Sequence, residues 1–212
     1  MSLNLREYEA KTKDEALANA LEELGVTEKE ILYKYEEKKG KLFKAGSTIV
    51  YVSTIKDIAD YLKEKLKELV TNMGIEVNIE TNIREEQINL KMYSDNNNIL
   101  IGKNGQTLTA ITNILKQIIH NEFGKYPYIL LDVENYKEKK IGNIERMAKR
   151  IAREVTKTKV DVSLDNMNSY ERRIIHNVLT NYKHIETKSE GEEPNRHVVI
   201  KYVESKEEDT EE

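Results

Sequence analysis

Leu100-Ile101-Gly102-Lys103-Asn104-Gly105-Gln106-Thr107-Leu108 sets two glycines two residues apart, between an apolar pair and the start of a helical pattern. The spacing predicts a tight helix–loop–helix turn. Gly102 ends the first helix at positive φ, where a Cβ would be disfavoured. The second helix begins near Gly105, with unpaired N–H groups and the positive end of its dipole facing outward. Lys103 adds a cation at the tip, and bare glycine backbone lets a ligand chain come close. Such a loop suits a phosphate-bearing strand. With nine glycines in the chain, the spacing alone decides nothing, and an ordinary glycine-capped helix connection reads the same way.

Its flanks narrow the choice. Upstream, Thr54 and Asp57 have capping-box spacing, and Ile58, Leu62, Leu66, Leu69, Val70 and Met73 form a helical stripe closed by Gly74. Residues 75–83 then alternate apolar and polar, Arg84-Glu85-Glu86 turns the chain, and Ile88, Leu90 and Met92 alternate again. Asn96–Asn98 open a short helix into Ile99-Leu100-Ile101. Downstream, Leu108, Ile111, Thr112, Leu115, Ile118 and Ile119 mark a helix ended by Gly124, and Tyr128–Val133 supply a third strand. The order is α-β-β-α-loop-α-β.

Farther on, Ile144, Met147, Ala148, Ile151, Ala152 and Val155 form one apolar stripe in a helix read over Gly142–Thr158. Arg146, Arg150, Arg153 and Lys157 share another face, with Lys149 beside it. A solvated helix ordinarily interleaves acids at these spacings to gain ion pairs. Here they are few, which suits a polyanionic partner as well as a plain basic face. Asn168 and Glu171 cap a further helix, on which Tyr170, Ile174, Val178 and Tyr182 line one side and Arg172, Arg173, His176 and Thr180 the other. Arg172 and His176 are i,i+4 neighbours expected to project outward together, the arginine to grip phosphate and the histidine to stack or donate. A chance pair on a solvated face fits the same spacing. His184–Lys188 and His197–Val203 read as an antiparallel pair.

The N-terminal part reads β-α-β-β: a strand near residues 3–9, a helix capped by Thr12 and ended by Gly25, and strands at Ile31–Tyr35 and Thr48–Val52 joined by Glu36–Ser47. At roughly 50 residues such a unit has a small core and shows no catalytic constellation. A docking or dimerising role fits it, since its strand edges are open.

Composition bounds the rest. No run approaches the length of a transmembrane helix, the first ten residues lack a signal-peptide core, and the absence of cysteine fits a cytoplasmic protein. The net charge of −4 speaks against a nucleic-acid partner only until it is divided. Residues 136–189 carry 13 Lys/Arg against 7 Asp/Glu, while residues 190–212 carry 3 against 9 and end in an acidic tail at 206–212 expected to be disordered. The four histidines have no zinc-site spacing, and neither a P-loop nor a nucleophile elbow is present, so no enzyme, metal or cofactor is expected.

The α-β-β-α-α-β order around Gly102-x-x-Gly105 resembles the type II KH domain. That resemblance implies a loop clamping single-stranded nucleotides beside an apolar groove. It makes Gly102, Lys103, Asn104 and Gly105 the loop contacts and Ile99, Ile101, Leu108, Leu90 and Met92 groove candidates, the last three equally readable as core. Arg172-x-x-x-His176 resembles the small domain named for that arginine–histidine spacing, which binds single-stranded nucleic acid. The text from Met167 to His176 and from Ser189 to Arg196 is similar to the C-terminal signature of the bacterial Jag family, with His197 standing where a second arginine is expected. The resemblance implies an α+β chain of three small domains: a Jag N-terminal module (1–53), a type II KH domain (54–135) and an Arg-x-x-x-His domain (136–205) with two helices on a small sheet. It implies a cytoplasmic RNA-binding regulator of cell-envelope growth or division, contacting single-stranded RNA through the loop and through Arg172, His176, Arg173, Arg146, Lys149, Arg150, Arg153 and Arg196. A small companion KH protein and a membrane-protein insertase are the implied protein partners, while a second copy of the chain is suggested by the strand edges of the first domain. The other reading is an insertase adaptor whose two C-terminal folds serve as docking surfaces.

Overall fold

A computed structural model describes residues 2–38, 46–84 and 86–204. The chain is mixed α and β and divides into two compact units, Met1–Glu134 and Asn135–Glu212. The expected N-terminal module and KH domain both lie within the first. The acidic tail, Glu85 and most of the Glu36–Ser47 connection fall outside the described residues.

The first unit opens with β1 (Arg6–Ala10), α1 (Lys13–Leu24), β2 (Ile31–Lys38) and β3 (Ser47–Thr54). Both outer strands pair antiparallel with β3, giving the order β1-β3-β2. Ala16, Leu17 and Ala20 of α1 pack on Tyr8, Ile31, Val50 and Val52, a core as small as the composition implied. Thr12 accepts the Glu15 amide and Gly25 closes the helix at φ 63°.

β3 runs directly into α2 (Ile55–Asn72). The junction is fixed by Asp57. Its carboxylate caps Thr54, accepts from the Arg6 guanidinium at 2.7 Å and from Asn4 at 3.1 Å, and so pins the helix start to β1 and the segment leading into it. β4 (Asn78–Arg84), β5 (Gln87–Tyr93), α3 (Asn97–Ile101), α4 (Gln106–Phe123) and β6 (Tyr128–Val133) complete the unit. β4 and β5 are antiparallel, β5 and β6 parallel. This matches the order read from the sequence. Ile88, Leu90 and Met92 of β5 lie buried with Leu66 of α2 and Leu115 and Ile119 of α4, as period-two and period-3.6 patterns meeting across a sheet require. The N-terminal module is tied to this domain by Lys34, whose ammonium reaches the Glu122 carboxylate of α4 at 2.5 Å, and by Lys125 lying 5.0 Å over the Tyr33 ring.

The second unit holds α5 (Tyr136–Thr158), β7 (Val162–Ser163), α6 (Ser169–Leu179), β8 (Ile185–Glu190) and β9 (His197–Tyr202), with sheet order β7-β9-β8, all antiparallel. Ala148, Ala152 and Val155 of α5 and Ile175 and Leu179 of α6 cover Ile185, Val198 and Ile200 of the sheet. Two sequence expectations change here. α5 begins six residues before Gly142, and α6 stops before Tyr182. Among the described residues no helix is long and apolar enough to cross a membrane.

Candidate nucleic-acid interface

Gly102 closes α3 at φ 70°, ψ −179°, a conformation essentially confined to glycine. Lys103–Gly105 then form a single 3-10 turn in which Asn104 sits at φ 55° and Gly105 at φ 88°. Asparagine tolerates the left-handed region better than most residues. The turn is internally bonded: the Gly105 amide donates to the Gly102 carbonyl at 3.2 Å and the Gln106 amide to Lys103. Those two amides are therefore engaged, which reduces the outward-facing set expected from sequence. No side chain caps α4, and Lys103 and Asn104 are exposed beside its positive end. Thr107 backs the loop, so that a Cβ on Gly102 would strike it.

The groove candidates separate. Ile99 is 54% exposed and Ile101 half-buried, both on the short helix that feeds the loop. Leu90, Met92 and Leu108 are core: their side chains fill the space between sheet and helices and are 3% exposed or less. For the two strand residues, the core alternative follows from the pleat. Strand β5 turns its even-numbered side chains inward, so Leu90 and Met92 share the buried face with Ile88.

On α5, Arg146, Lys149, Arg150, Arg153 and Lys157 are all exposed. Arg146 bonds to the Gly142 carbonyl and the Asn143 side chain, and Arg153 to the Tyr182 hydroxyl at 3.3 Å. Among the described residues none of these five pairs with a carboxylate. The same holds for Arg173 on α6 and Arg196 before β9, both exposed.

Arg172 and His176 do not project outward, and this overturns the sequence reading of their orientation. Arg172 is 7% exposed. Its guanidinium donates to the Met167 carbonyl at 2.7 Å and to the Glu193 carboxylate at 2.9 Å. His176 is half-buried, with Nδ1 2.6 Å from the Thr187 hydroxyl and Nε2 2.9 Å from the Ser189 hydroxyl. Burial, reinforced by the Arg172 charge, holds its pKa below the ordinary histidine value, so the ring is neutral at neutral pH. Beside them, Glu171 caps Asn168 and binds the Lys140 ammonium of α5. Burial disfavours that ammonium, but the hydrogen bond and charge of Glu171 outweigh it and raise the Lys140 pKa. Sequence reasoning missed Thr187 and Ser189, although both follow Ile185 at two-residue steps and so share its face of a half-buried strand. Glu193 lies in the Ser189–Arg196 signature, but nothing local to it pairs it with Arg172.

Comparison with known proteins accords with this architecture. Residues 59–130 match the family described as KhpA/KhpB, KH domain, and residues 142–202 match the Arg-x-x-x-His domain, the family named for an arginine and a histidine separated by three residues. A Clostridium symbiosum protein named RNA-binding protein KhpB is 39% identical over 90% of this chain and 88% of its own length. The chain belongs to the KhpB family. A Bacillus subtilis relative of the same name is 32% identical, over 89% of this chain and 94% of that protein. One from Lactiplantibacillus plantarum is also 32% identical, over 70% of this chain and 45% of the relative. A KhpB-family chain built from KH and Arg-x-x-x-His domains is a non-enzymatic nucleic-acid binder.

Proposed function

We propose that the chain binds single-stranded RNA, with the Gly102-Lys103-Asn104-Gly105 loop clamping the backbone and Ile99 and Ile101 flanking the bases. The observation that carries this reading is the loop itself, two positive-φ glycines around an exposed Lys103 at the uncapped start of an 18-residue helix. Arg146, Lys149, Arg150, Arg153, Arg173 and Arg196 add a second basic surface without paired acids among the described residues, suited to phosphates. The names of the relatives support RNA as the polyanion. The family resemblance extends the reading to a cytoplasmic regulator of envelope growth or division. In that reading the domains run 1–53, 54–135 and 136–205, and the companion KH protein and insertase are partners. The paired name of the KH family supports the former. The open edges β1 and β2 are where a second copy would add.

The test replaces Lys103 and Asn104 with Asp and titrates the chain with a fluorescein-labelled oligouridylate. Both positions are exposed and Asp tolerates the Asn104 backbone, so the melting curve should hold while affinity falls sharply. Unchanged affinity in a folded variant would remove the loop from the binding surface and favour docking to protein instead.

A further inference from the structure

Arg172 and His176 stand one helical turn apart on α6 and both reach the hairpin formed by β8 and β9. His176, the shorter side chain, holds Thr187 and Ser189 in the body of β8. Arg172, the longer, reaches Glu193 in the turn. A separate set of bonds fastens the other side of that turn. The Met167 amide donates to the Arg196 carbonyl at 3.1 Å, Asn166 bonds Asn195 through their side chains at 3.1 Å, and the Leu164 amide donates to the Val198 carbonyl at 2.9 Å. Arg172 closes this arrangement, because its second acceptor is the carbonyl of the same Met167. One buried guanidinium thus joins the start of α6 to the residues on both sides of Pro194.

An arginine whose side chain is 8% exposed, with both hydrogen-bond partners inside its own domain, is poorly placed to take a phosphate. Arg196, by contrast, is exposed, and its backbone is fixed by Met167. Arg173, next to Arg172, is exposed as well. We infer that Arg172 and Glu193 form a positioning pair: they set the hairpin turn so that Arg196, together with Arg173, presents a defined phosphate-binding surface, and Arg172 itself does not touch RNA. This inference rests on RNA binding by the second unit. It assigns the arginine of the Arg-x-x-x-His motif to scaffolding and its exposed neighbours to contact.

The Glu193 side chain is 62% exposed, so Glu193→Gln cuts the tether without opening a core. In the full chain this variant should remain folded, exchange the Met167 amide faster, and bind a fluorescein-labelled oligouridylate several-fold more weakly. Arg172→Met should weaken binding by a similar factor, and the double variant should lose little more than either single one, because both cut the same tie. If Arg172 instead contacted phosphate with Glu193 as a competing anion, Glu193→Gln would tighten binding while Arg172→Met weakened it, and the inference would be overturned. Equal and additive losses would overturn it too. Arg173→Glu with Arg196→Glu separates this from the reading beneath it. A strong loss there supports the contact surface, whereas unchanged affinity removes the second unit from RNA binding, and the positioning role with it.

Discussion

A Cβ placed on Gly102 would lie 2.1 Å from the Thr107 hydroxyl oxygen and 2.8 Å from its Cβ. The backbone there is at φ 70°, ψ −179°, so strain and collision act at the same atom. Gly102→Ala should therefore cost at least about 2 kcal/mol of stability, the upper range for a residue forced into a glycine-only region. Urea unfolding checks it. An unchanged midpoint would mean that α4 can draw back from the loop, and that the close approach of Thr107 is not needed to hold it.

Gly142 should respond with the opposite sign. It lies inside α5, a Cβ built there would meet nothing within 4 Å, and its φ is not positive. Alanine there gains helix propensity without a clash, so Gly142→Ala should stabilise the second unit by about 0.5–1 kcal/mol. Slower amide exchange along α5 would show it, and a loss of stability would mean that the helix bends at this point.

The same residue explains part of what the sequence left illegible. Tyr136–Ile141 is too densely charged to show an apolar stripe, and Gly142 reads as a boundary, so the first six residues of α5 carried no signal. By contrast, the capping residues Thr12, Thr54 and Asn168 and the glycine stops at Gly25 and Gly124 are local chemistry, and each sits where its spacing placed it. So does the Gly102–Gly105 turn. The orientation of Arg172 was illegible for a different reason. An arginine on a helix is expected to face water, and what turns this one inward is a carboxylate 21 residues away in a hairpin turn. Leu90 and Met92 were open between groove and core because period two identifies a face without saying which helices cover it.

His176 makes the second unit sensitive to pH. Its imidazole is held below the ordinary value of 6.5 by burial and then by the Arg172 charge, while Thr187 and Ser189, the β8 groups that face it, are uncharged. As pH falls, the unfolded chain takes up this proton first. The unfolded state then binds more protons across the window below 6.5, and stability declines there until the folded-state value is passed. Amide exchange at Ile175 and Leu179, compared at about pH 7 and about pH 5, should show the decline, and His176→Gln should remove the histidine's share of it. A variant with the same pH response would place the titration elsewhere.

Ile99 and Leu100 are adjacent in α3 and have opposite environments, 54% exposed against fully buried. Leu100→Ala should cost about 2–5 kcal/mol as a core truncation, whereas Ile99→Ser should stay within about 0.5 kcal/mol of the parent. Their bearing on RNA follows from what each contact would release. Lys103→Ala removes a charge, so it should lower the slope of log affinity against log salt by about 0.7, the value for one phosphate on a single strand. Ile99→Ser removes only apolar surface, so it should weaken binding by the same factor at every salt concentration and leave that slope unchanged. Oligouridylate titrations over a salt series distinguish the two. An Ile99→Ser variant with parental affinity throughout would mean that the bases lie away from α3 and that the loop acts on the backbone alone.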